Sequence, residues 1–338
     1  MIKIKIVGGD HTGWSIDEDK KNIIYFLKKI KNVKLTKNIF KANVYFFVWY
    51  NQLLYKKYFI FSVLKKIFNK KIIAVVTNDI LLNDLDFNKI KKKVDLWISP
   101  NKKISNFLKE NEIDFFELPF YVSNKKFYKL NLCKEDILKK IGVDYLKIKN
   151  KTLIGSFQRD SLSSDLNKPK WQKDPDFLVK IAKKLPNNFL WVLAGPRRHY
   201  LINEFKKNNI NFIFVGDENF IENNKDDINH NNLSKEKINY LYNLIDFYVV
   251  SSKSESGPKA ILESCLTKTL IFSTDVGLAK DFLFPNLIIK NENDFIKKIE
   301  KINEVDINKI IEFNYEKVIN ILDENKYLKS IENIFKRI

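Results

Sequence analysis

Cysteine is nearly absent from this chain of 338 residues, which contains only Cys133 and Cys265. Two cysteines this far apart argue against a disulfide framework and against a cysteine-based zinc site. Long apolar runs are also missing, since none approaches the roughly 20 residues that span a bilayer. Residues 1–7 alternate like a first strand and lack the continuous apolar core of a signal peptide. The sequence therefore predicts a cytoplasmic protein in a reducing environment.

Arginine is also scarce. Only four of the 60 basic residues are arginine, so lysine carries almost all of the formal net charge of +19. Proteins that bind nucleic acids rely on forked arginine contacts to bases and phosphates, so no nucleic-acid partner is expected. Two explanations of the charge stay open. One is a codon bias towards Lys, Asn, Ile and Phe that spreads over the whole surface, and the other is attraction to an anionic membrane surface.

Strand-like and helix-like segments alternate along the chain. Hydrophobic residues make up 45% of it and charged residues 30%, as in globular proteins. Short apolar segments separated by amphipathic ones predict parallel, doubly wound sheets. Strands are expected near 2–7, 42–49, 72–77, 95–99 and 114–118, and again near 152–157, 189–194, 211–215, 246–250 and 269–273. The two sets predict two Rossmann-like α/β domains facing a central cleft, with bounds at residues 1–146 and 147–314.

The segment from 251 to 277 contains two glutamates, Glu255 and Glu263, around the start of a predicted helix at Pro258. Ligands bind α/β sheets at the carboxyl ends of the strands, where Glu255 is expected. A carboxylate can accept hydrogen bonds from adjacent hydroxyls of a sugar or ribose. The amides of Ser256 and Gly257 can meet phosphate oxygens at the helix start. The alternative is a capping acid followed by a solvated glutamate.

The letters Ser-Glu-Ser-Gly-Pro-Lys-Ala-Ile-Leu-Glu-Ser at 254–264, followed by Ile-Phe-Ser-Thr-Asp-Val-Gly at 271–277, resemble the signature of retaining GT-B glycosyltransferases of family 4. The resemblance implies that Glu255 contacts the transferred sugar and Glu263 the nucleotide ribose. It also implies that a last helix, about 315–338, packs back on the N-terminal domain. Lys268 stands where the family has a helix-ending glycine, so the usual left-handed cap is expected to be lost.

A second group of residues, after the first strand of the C-terminal domain, includes Arg159 and Lys173. In the family, cations at these places neutralise the donor diphosphate, and fixed cations stabilise such a leaving group. Lys173 is followed by Asp174 instead of the usual glycine, and Lys168 and Lys170 compete with it for the role.

The remaining candidates are weaker. Gly195, Arg197 and Gly216 lie in turns that resemble the lining of a nucleotide-base pocket, although ordinary strand-to-helix turns look the same. In the N-terminal domain, Gly8 and Gly9 follow the first strand, as do the glycines of the family's donor-facing loop. His11 and Asp79 are possible acceptor-side residues; the alternative for a lone histidine is a structural role.

The stretch from Tyr55 to Lys71 is aromatic and basic. It fits an amphipathic segment lying on an anionic leaflet. A helix that faces the core through Ile60, Val63, Leu64 and Ile67 would show the same pattern, and this second interpretation is slightly favoured. Asp-x-Asp triplets occur three times, as chance allows among 41 acidic residues, and no essential metal or cofactor is expected.

The resemblance implies a glycosyltransferase that moves a sugar with retention from a nucleotide-sugar donor to a glycan or lipid-linked acceptor. Synthesis of cell-surface polysaccharide or lipopolysaccharide, at the inner face of the plasma membrane, is the expected setting. Two alternatives stay open: a nucleotide-sugar epimerase on the same fold, and a non-catalytic basic protein that binds acidic glycans or membrane.

Overall fold

The computed structural model describes residues 1–9, 13, 15–79, 84–302 and 306–337. The chain forms two compact units. The first contains Met1–Tyr121, Glu255–Gly257 and Ile321–Ile338, and the second contains Val122–Ser254 and Pro258–Asn320. These bounds differ from those expected from the sequence, because residues 122–146 group with the second unit.

The strands of the described residues form two six-stranded sheets that are parallel throughout. The first sheet has the order β2-β1-β3-β4-β5-β6 and the second the order β12-β11-β10-β7-β8-β9. Their bounds are β1 Ile2–Val7, β2 Val33–Leu35, β3 Val44–Phe47, β4 Lys71–Val75, β5 Leu96–Ser99, β6 Phe115–Glu117, β7 Thr152–Ser156, β8 Phe189–Ala194, β9 Phe212–Val215, β10 Phe247–Val250, β11 Leu270–Thr274 and β12 Ile288–Ile289.

The helices of the described residues flank the two sheets. They are α1 Ser15–Leu27, α2 Phe59–Phe68, α3 Asp84–Ile90, α4 Lys102–Glu110, α5 Lys134–Ile141, α6 Pro175–Lys184, α7 His199–Lys207, α8 Glu218–Glu222, α9 Lys235–Leu244, α10 Lys259–Leu266, α11 Ala279–Phe282, α12 Glu292–Glu300, α13 Ile307–Leu322 and α14 Glu324–Lys336. Several of these helices have a short polar residue as their N-cap. Ser234 accepts a hydrogen bond from the Lys237 amide, and Asn101 accepts one from the Ile104 amide at 2.8 Å.

The central strands are mostly apolar because helices cover both faces of a parallel sheet. Every residue of β3, β5 and β10 is buried. All ten predicted strands are present, with ends that shift by at most two residues. The two strands that the sequence did not indicate, β2 and β12, are short strands at sheet edges.

The segment before α5 joins the second unit through side chains of α9. Asn239 accepts a hydrogen bond from the Tyr128 amide at 3.1 Å, and Asn243 accepts one from the Leu130 amide at 2.8 Å. Asn239 and Asn243 are one helical turn apart and therefore lie on the same face of α9. These contacts are the physical reason why residues 122–146 group with the second sheet.

The C-terminal helix α14 belongs to the first unit, where it packs on α1. The Phe26 ring lies 4.9 Å from the Tyr327 ring, and the Tyr327 hydroxyl donates to the Pro119 carbonyl at 2.7 Å. Glu324 forms an ion pair with Lys29. The last helix thus packs beside the first helix of the chain.

The end of α10 corrects one expectation. Lys268 adopts the left-handed conformation, with φ of 54°. Its amide donates to the Cys265 carbonyl at 3.1 Å, and the Thr269 amide donates to the Ser264 carbonyl at 2.9 Å. This pair of hydrogen bonds is the Schellman cap. The left-handed cap is therefore retained without glycine, and the Lys268 side chain is held by Glu312 at 2.6 Å and by the Tyr315 ring.

Substitution of Lys268 should reveal the backbone strain of this cap. Glycine and alanine both remove the side-chain contacts, but only alanine keeps the steric cost of the left-handed conformation. We therefore expect Lys268→Gly to be more stable than Lys268→Ala by about 1 kcal/mol in urea unfolding. At the exposed position Lys139, inside α5, the order should reverse, because glycine weakens a helix interior by about 1 kcal/mol. Equal stability of the two Lys268 variants would show that the left-handed conformation carries no steric cost at this position.

Candidate functional site

In the second unit, polar residues meet where β7 and β10 end. The Ser251 hydroxyl donates to the Lys173 carbonyl at 2.6 Å, and the Gln158 side chain donates to the Ser251 hydroxyl at 3.1 Å. Ser251 directly follows β10, and Gln158 lies two residues beyond β7. The neighbouring strands β7 and β10 are parallel, so their carboxyl ends lie at the same edge of the sheet. The turn that carries Lys173 is therefore fixed at this edge.

Glu263 is joined to the same region through Tyr242. The Tyr242 hydroxyl donates to Glu263 Oε2 at 2.9 Å, and the Tyr242 ring lies 5.2 Å from the Phe157 ring. Burial raises the pKa of the Tyr242 phenol well above its usual value, with the Glu263 carboxylate as the next cause. Tyr242 therefore stays protonated and remains a donor. Because a carboxylate has about four lone-pair sites, Glu263 can accept hydrogen bonds from a ligand as well.

These contacts form one continuous set within the second unit, from Lys173 through Ser251 and Gln158 to Phe157, Tyr242 and Glu263. Arg159 follows Gln158 and is half-buried, as are Lys173 and Glu263. The two cations predicted to hold a diphosphate and the glutamate predicted to contact a ribose thus belong to one connected group. Their roles stay predictions.

A buried ion pair follows directly after Arg159. The side chains of Asp160 and Arg198 are 1% and 0% exposed, and Arg198 Nε lies 3.1 Å from Asp160 Oδ2. Arg198 Nη2 also donates to the Ser156 hydroxyl at 3.1 Å. Burial raises the pKa of Asp160 and lowers that of Arg198, because each charge loses its hydration, while the charge of the partner opposes both shifts. The pair ties the loop after β7 to the start of α7.

Arg197 has a different partner from its neighbour. Its guanidinium forms two hydrogen bonds with Asp226, at 3.0 Å from Nε and 2.7 Å from Nη2. Its backbone is left-handed, with φ of 55°, and its amide donates to Asp227 at 2.7 Å. A contact of Arg197 with a phosphate would compete with the Asp226 contact, because both would use the same fork of donors.

Gly195 and Gly216 lie where β8 and β9 end. Gly195 has φ of 89°, and a Cβ atom there would lie 3.0 Å from the Phe157 carbonyl oxygen. At Gly216 a Cβ atom would lie 2.5 Å from the Phe214 ring. Both glycines are thus explained by the protein's own packing, and a nucleotide-base pocket beside them stays a prediction.

The segment Glu255–Gly257 is grouped with the first unit. Asn101, which caps α4, donates to the Ser256 carbonyl at 2.6 Å. The Ser256 side chain is buried, and its hydroxyl has no hydrogen-bond partner among the described residues. Glu255 is half-buried. The helix that follows, α10, begins at Lys259, with Pro258 as its N-cap.

Gly8 and Gly9 follow β1 with φ of 112° and 138°, which glycine adopts without steric cost. Lys20 donates to the Gly8 carbonyl at 2.6 Å, and Gln52 donates to the Gly9 carbonyl at 3.1 Å. Gln52 is buried, and its side-chain oxygen has no hydrogen-bond partner among the described residues. His11 lies outside the described residues.

Asp79, predicted as a possible acceptor-side residue, lies after β4. Its side chain is 8% exposed and lies 3.6 Å from Lys103 Nζ. A separate cavity of about 20 Å³ in the first unit is lined by apolar side chains with Asp19 and Asn22. That volume admits a water molecule and is too small for a sugar ring.

The described residues contain no group of three or more His, Cys, Asp or Glu residues that could hold a metal ion. None of the helices found there combines the length and the apolar character that crossing a membrane requires.

Comparisons of the sequence with protein-family models and with curated proteins give no match. The structure is similar to HepE of Anabaena, solved in complex with UDP and glucose. The TM-score is 0.70 and the identity 12%, over 100% of this chain and 99% of that chain. It is also similar to a sucrose-phosphate synthase from Thermosynechococcus elongatus, with TM-score 0.63 and 12% identity over 95% and 78% of the two chains. A glycosyltransferase from Rickettsia africae has TM-score 0.62 and 17% identity over 99% and 98%.

These similarities show the fold. Two six-stranded parallel sheets with flanking helices have the GT-B glycosyltransferase architecture, as the sequence predicted. Sequence reasoning missed Tyr242, Gln158 and the Asp160–Arg198 pair. Tyr242 lies in an amphipathic helix, where an aromatic residue indicates only core packing.

Proposed function

We propose that this protein is a retaining glycosyltransferase of the family 4 type that uses a nucleotide-sugar donor. The observation that carries the proposal is the connected set of contacts from Lys173 to Glu263 at the carboxyl edge of the second sheet. In open α/β sheets this edge is where ligands bind. The GT-B architecture supports the proposal. HepE has the same architecture and was solved in complex with UDP and glucose.

In this proposal each charged residue has one task. Arg159 and Lys173 hold the diphosphate, Glu263 accepts hydrogen bonds from the ribose, and Glu255 binds hydroxyls of the transferred sugar. The amides of Ser256 and Gly257 add donors to phosphate oxygens. Tyr242 orients Glu263 by occupying one of its oxygens at 2.9 Å. No metal is needed, because the two cations stabilise the charge of the leaving diphosphate.

The reaction exchanges one glycosidic bond for another. The bond from the sugar to the diphosphate breaks, and the acceptor hydroxyl oxygen bonds to the sugar on the same face. The hydroxyl proton passes to an oxygen of the departing diphosphate. A glycan or lipid-linked acceptor at the inner face of the plasma membrane, in synthesis of cell-surface polysaccharide or lipopolysaccharide, completes the proposal.

Thermal unfolding with a panel of UDP, GDP, ADP and CDP compounds tests the donor site. A ligand at a hundred times its Kd stabilises the folded protein by about 2.7 kcal/mol, so one nucleotide family should raise the Tm clearly. A UDP compound is the expected one, since UDP and UDP-glucose occupy structures of HepE. The absence of a shift with every compound would contradict the proposal.

Two substitutions locate the ligand. Glu263→Gln should abolish most of the Tm shift, and Tyr242→Phe should reduce it, because the carboxylate then loses its orienting donor. Glu312→Gln, a matched change of a half-buried glutamate that pairs with Lys268, should leave the shift unchanged. Proton NMR of the transfer product reports the anomer. An inverted product would contradict retention, and turnover of the donor sugar without any acceptor would indicate an epimerase.

A further inference from the structure

The outer face of α2 exposes large apolar side chains. Phe61 and Leu64 point into the core of the first unit, whereas Phe59, Ile60 and Ile67 are 61%, 40% and 65% exposed. The expectation that Ile60 and Ile67 face the core was therefore wrong. The helix is apolar on two faces, and the core of the first unit uses only one of them.

The exposed side chains form a stripe. Positions 59, 60, 63 and 67 fall on one face of an α-helix because they are spaced by one, three or four residues. Val63 is half-buried within the stripe, and Tyr55 and Phe68, 49% and 57% exposed, lie beyond its two ends. An exposed apolar patch with a polar rim marks an interaction surface.

Lysines flank this stripe in two groups that the structure separates. Lys56, Lys57 and Lys66 are exposed. Lys65 and Lys70 turn inward, where Lys65 pairs with Asp95 at 2.9 Å and Lys70 donates to three backbone carbonyls. Lys56 and Lys57 precede α2 and Lys66 lies in its last turn, so exposed lysines adjoin the apolar side chains at both ends. This arrangement is expected for a surface that contacts both hydrocarbon and negative charge.

The net charge of the chain is concentrated around this helix. Residues 20–78 contain 14 lysines and no Arg, Asp or Glu. Subtracting these from the 60 basic residues leaves 46 basic and 41 acidic residues in the other 279, a net charge of only +5. A codon bias acting on the whole chain would not remove every carboxylate from 59 consecutive residues. The charge is therefore a property of one part of the first unit.

We propose that the outer face of α2, with the turn at Tyr55–Lys57, docks on an anionic lipid leaflet. Phe59, Ile60 and Ile67 would enter the boundary between headgroups and acyl chains, and Lys56, Lys57 and Lys66 would contact the lipid phosphates. A soluble polyanion would use the lysines and leave the apolar stripe in water. The lipid surface is the partner that uses both, and the docking does not depend on which sugar is transferred.

Flotation with lipid vesicles tests the docking in the absence of donor and acceptor. The full-length protein should float with vesicles of phosphatidylcholine mixed with phosphatidylglycerol and should stay unbound with phosphatidylcholine alone. Binding should weaken as salt is added, because the lysine contribution is screened. Absence of binding to the anionic vesicles would overturn the proposal without touching the donor site, which the nucleotide panel tests separately.

Two sets of substitutions separate the contributions. Phe59→Ser with Ile67→Ser removes apolar contact and should weaken vesicle binding at least about tenfold. Lys56→Gln, Lys57→Gln and Lys66→Gln together should weaken it about a hundredfold, since each lysine near an anionic surface strengthens binding about fivefold. All five side chains are exposed, so the Tm should stay unchanged.

Matched controls in the second unit use the exposed Leu146 and the exposed lysines Lys147, Lys149 and Lys183. Leu146→Ser and the triple lysine-to-glutamine control should keep vesicle binding within about twofold of the unsubstituted protein.

If the Phe59 and Ile67 substitutions have no effect and polyphosphate displaces the protein, the surface binds a soluble polyanion and the proposal fails. If the protein dimerises through this face in analytical ultracentrifugation, a second copy covers it and the proposal also fails.

Discussion

Replacing Arg159 with alanine is expected to lower kcat/KM for sugar transfer by about a hundredfold to a thousandfold. A fixed cation beside the leaving diphosphate stabilises charge that develops in the transition state, and loss of one such group typically has this effect. Arg159 directly follows Gln158, whose side chain is held by Ser251 at 3.1 Å, so the place of its backbone is fixed. Steady-state kinetics with the nucleotide sugar selected by the thermal panel measures the change.

Two other arginines make this test specific. Arg337 lies in the first unit, where it pairs with Asp114 at 2.8 Å, and Arg337→Ala should leave kcat/KM unchanged. Arg197→Ala reports whether the guanidinium bound by Asp226 also contacts phosphate. A fall in kcat/KM with an unchanged Tm would assign it to the donor, and a fall in Tm alone would assign it to the fold. Wild-type transfer rates in both Arg159→Ala and Glu255→Gln would contradict the proposed donor site.

Asp160→Asn is expected to lower the free energy of unfolding by about 3–5 kcal/mol. The substitution leaves the Arg198 guanidinium fully buried without its counter-charge, and removal of one partner of a buried ion pair has this cost. Asparagine keeps an oxygen that can accept from the Leu201 amide and the Ser161 hydroxyl, as Asp160 Oδ1 does now. The loss therefore measures charge and not shape. Urea unfolding followed by circular dichroism gives the value.

A double variant and a surface pair serve as controls. Asp160→Asn combined with Arg198→Met removes both charges and should recover a large part of the lost stability, since no unmatched charge stays buried. Asp165→Asn breaks the exposed pair with Lys168 and should change stability by less than about 1 kcal/mol. A double variant as unstable as Asp160→Asn alone would show that the ion pair is not the cause.

The two predictions are linked by the chain. Asp160 follows Arg159, and the amides of Asp160 and Ser161 both donate to the Arg197 carbonyl at 3.1 Å. The Lys170 amide donates to the Asp160 carbonyl at 2.6 Å. The buried pair thus holds the loop that carries Arg159 next to the segment that leads to Lys173. We expect mild substitutions of Asp160 that still fold to raise the KM for the donor.

The sheets were predictable because the signal for a buried parallel strand is local. A run such as Phe247–Val250 is apolar throughout, and each of its residues is buried. The edge strand β2 was missed because its three residues include a lysine and none of them is buried. Of the candidate site residues, Arg159 was the one to expect from a strand end, because it follows β7 by three residues and parallel sheets expose polar groups there. Glu263 lies within α10 and Lys173 lies just before α6, so their connection to this edge depends on the tertiary contacts of Tyr242 and Ser251.

The sequence by itself determined the two parallel sheets, their GT-B class and the positions of the charged residues along the chain. The tertiary structure decided which charge meets which partner. Arg197 and Arg198 are adjacent and chemically identical, yet one is bound by Asp226 and the other is buried against Asp160. The left-handed Lys268 and the outward-facing Ile60 and Ile67 were decided in the same way. The physical reason is that strand and helix patterns depend on near neighbours, whereas burial and pairing depend on residues distant in the sequence.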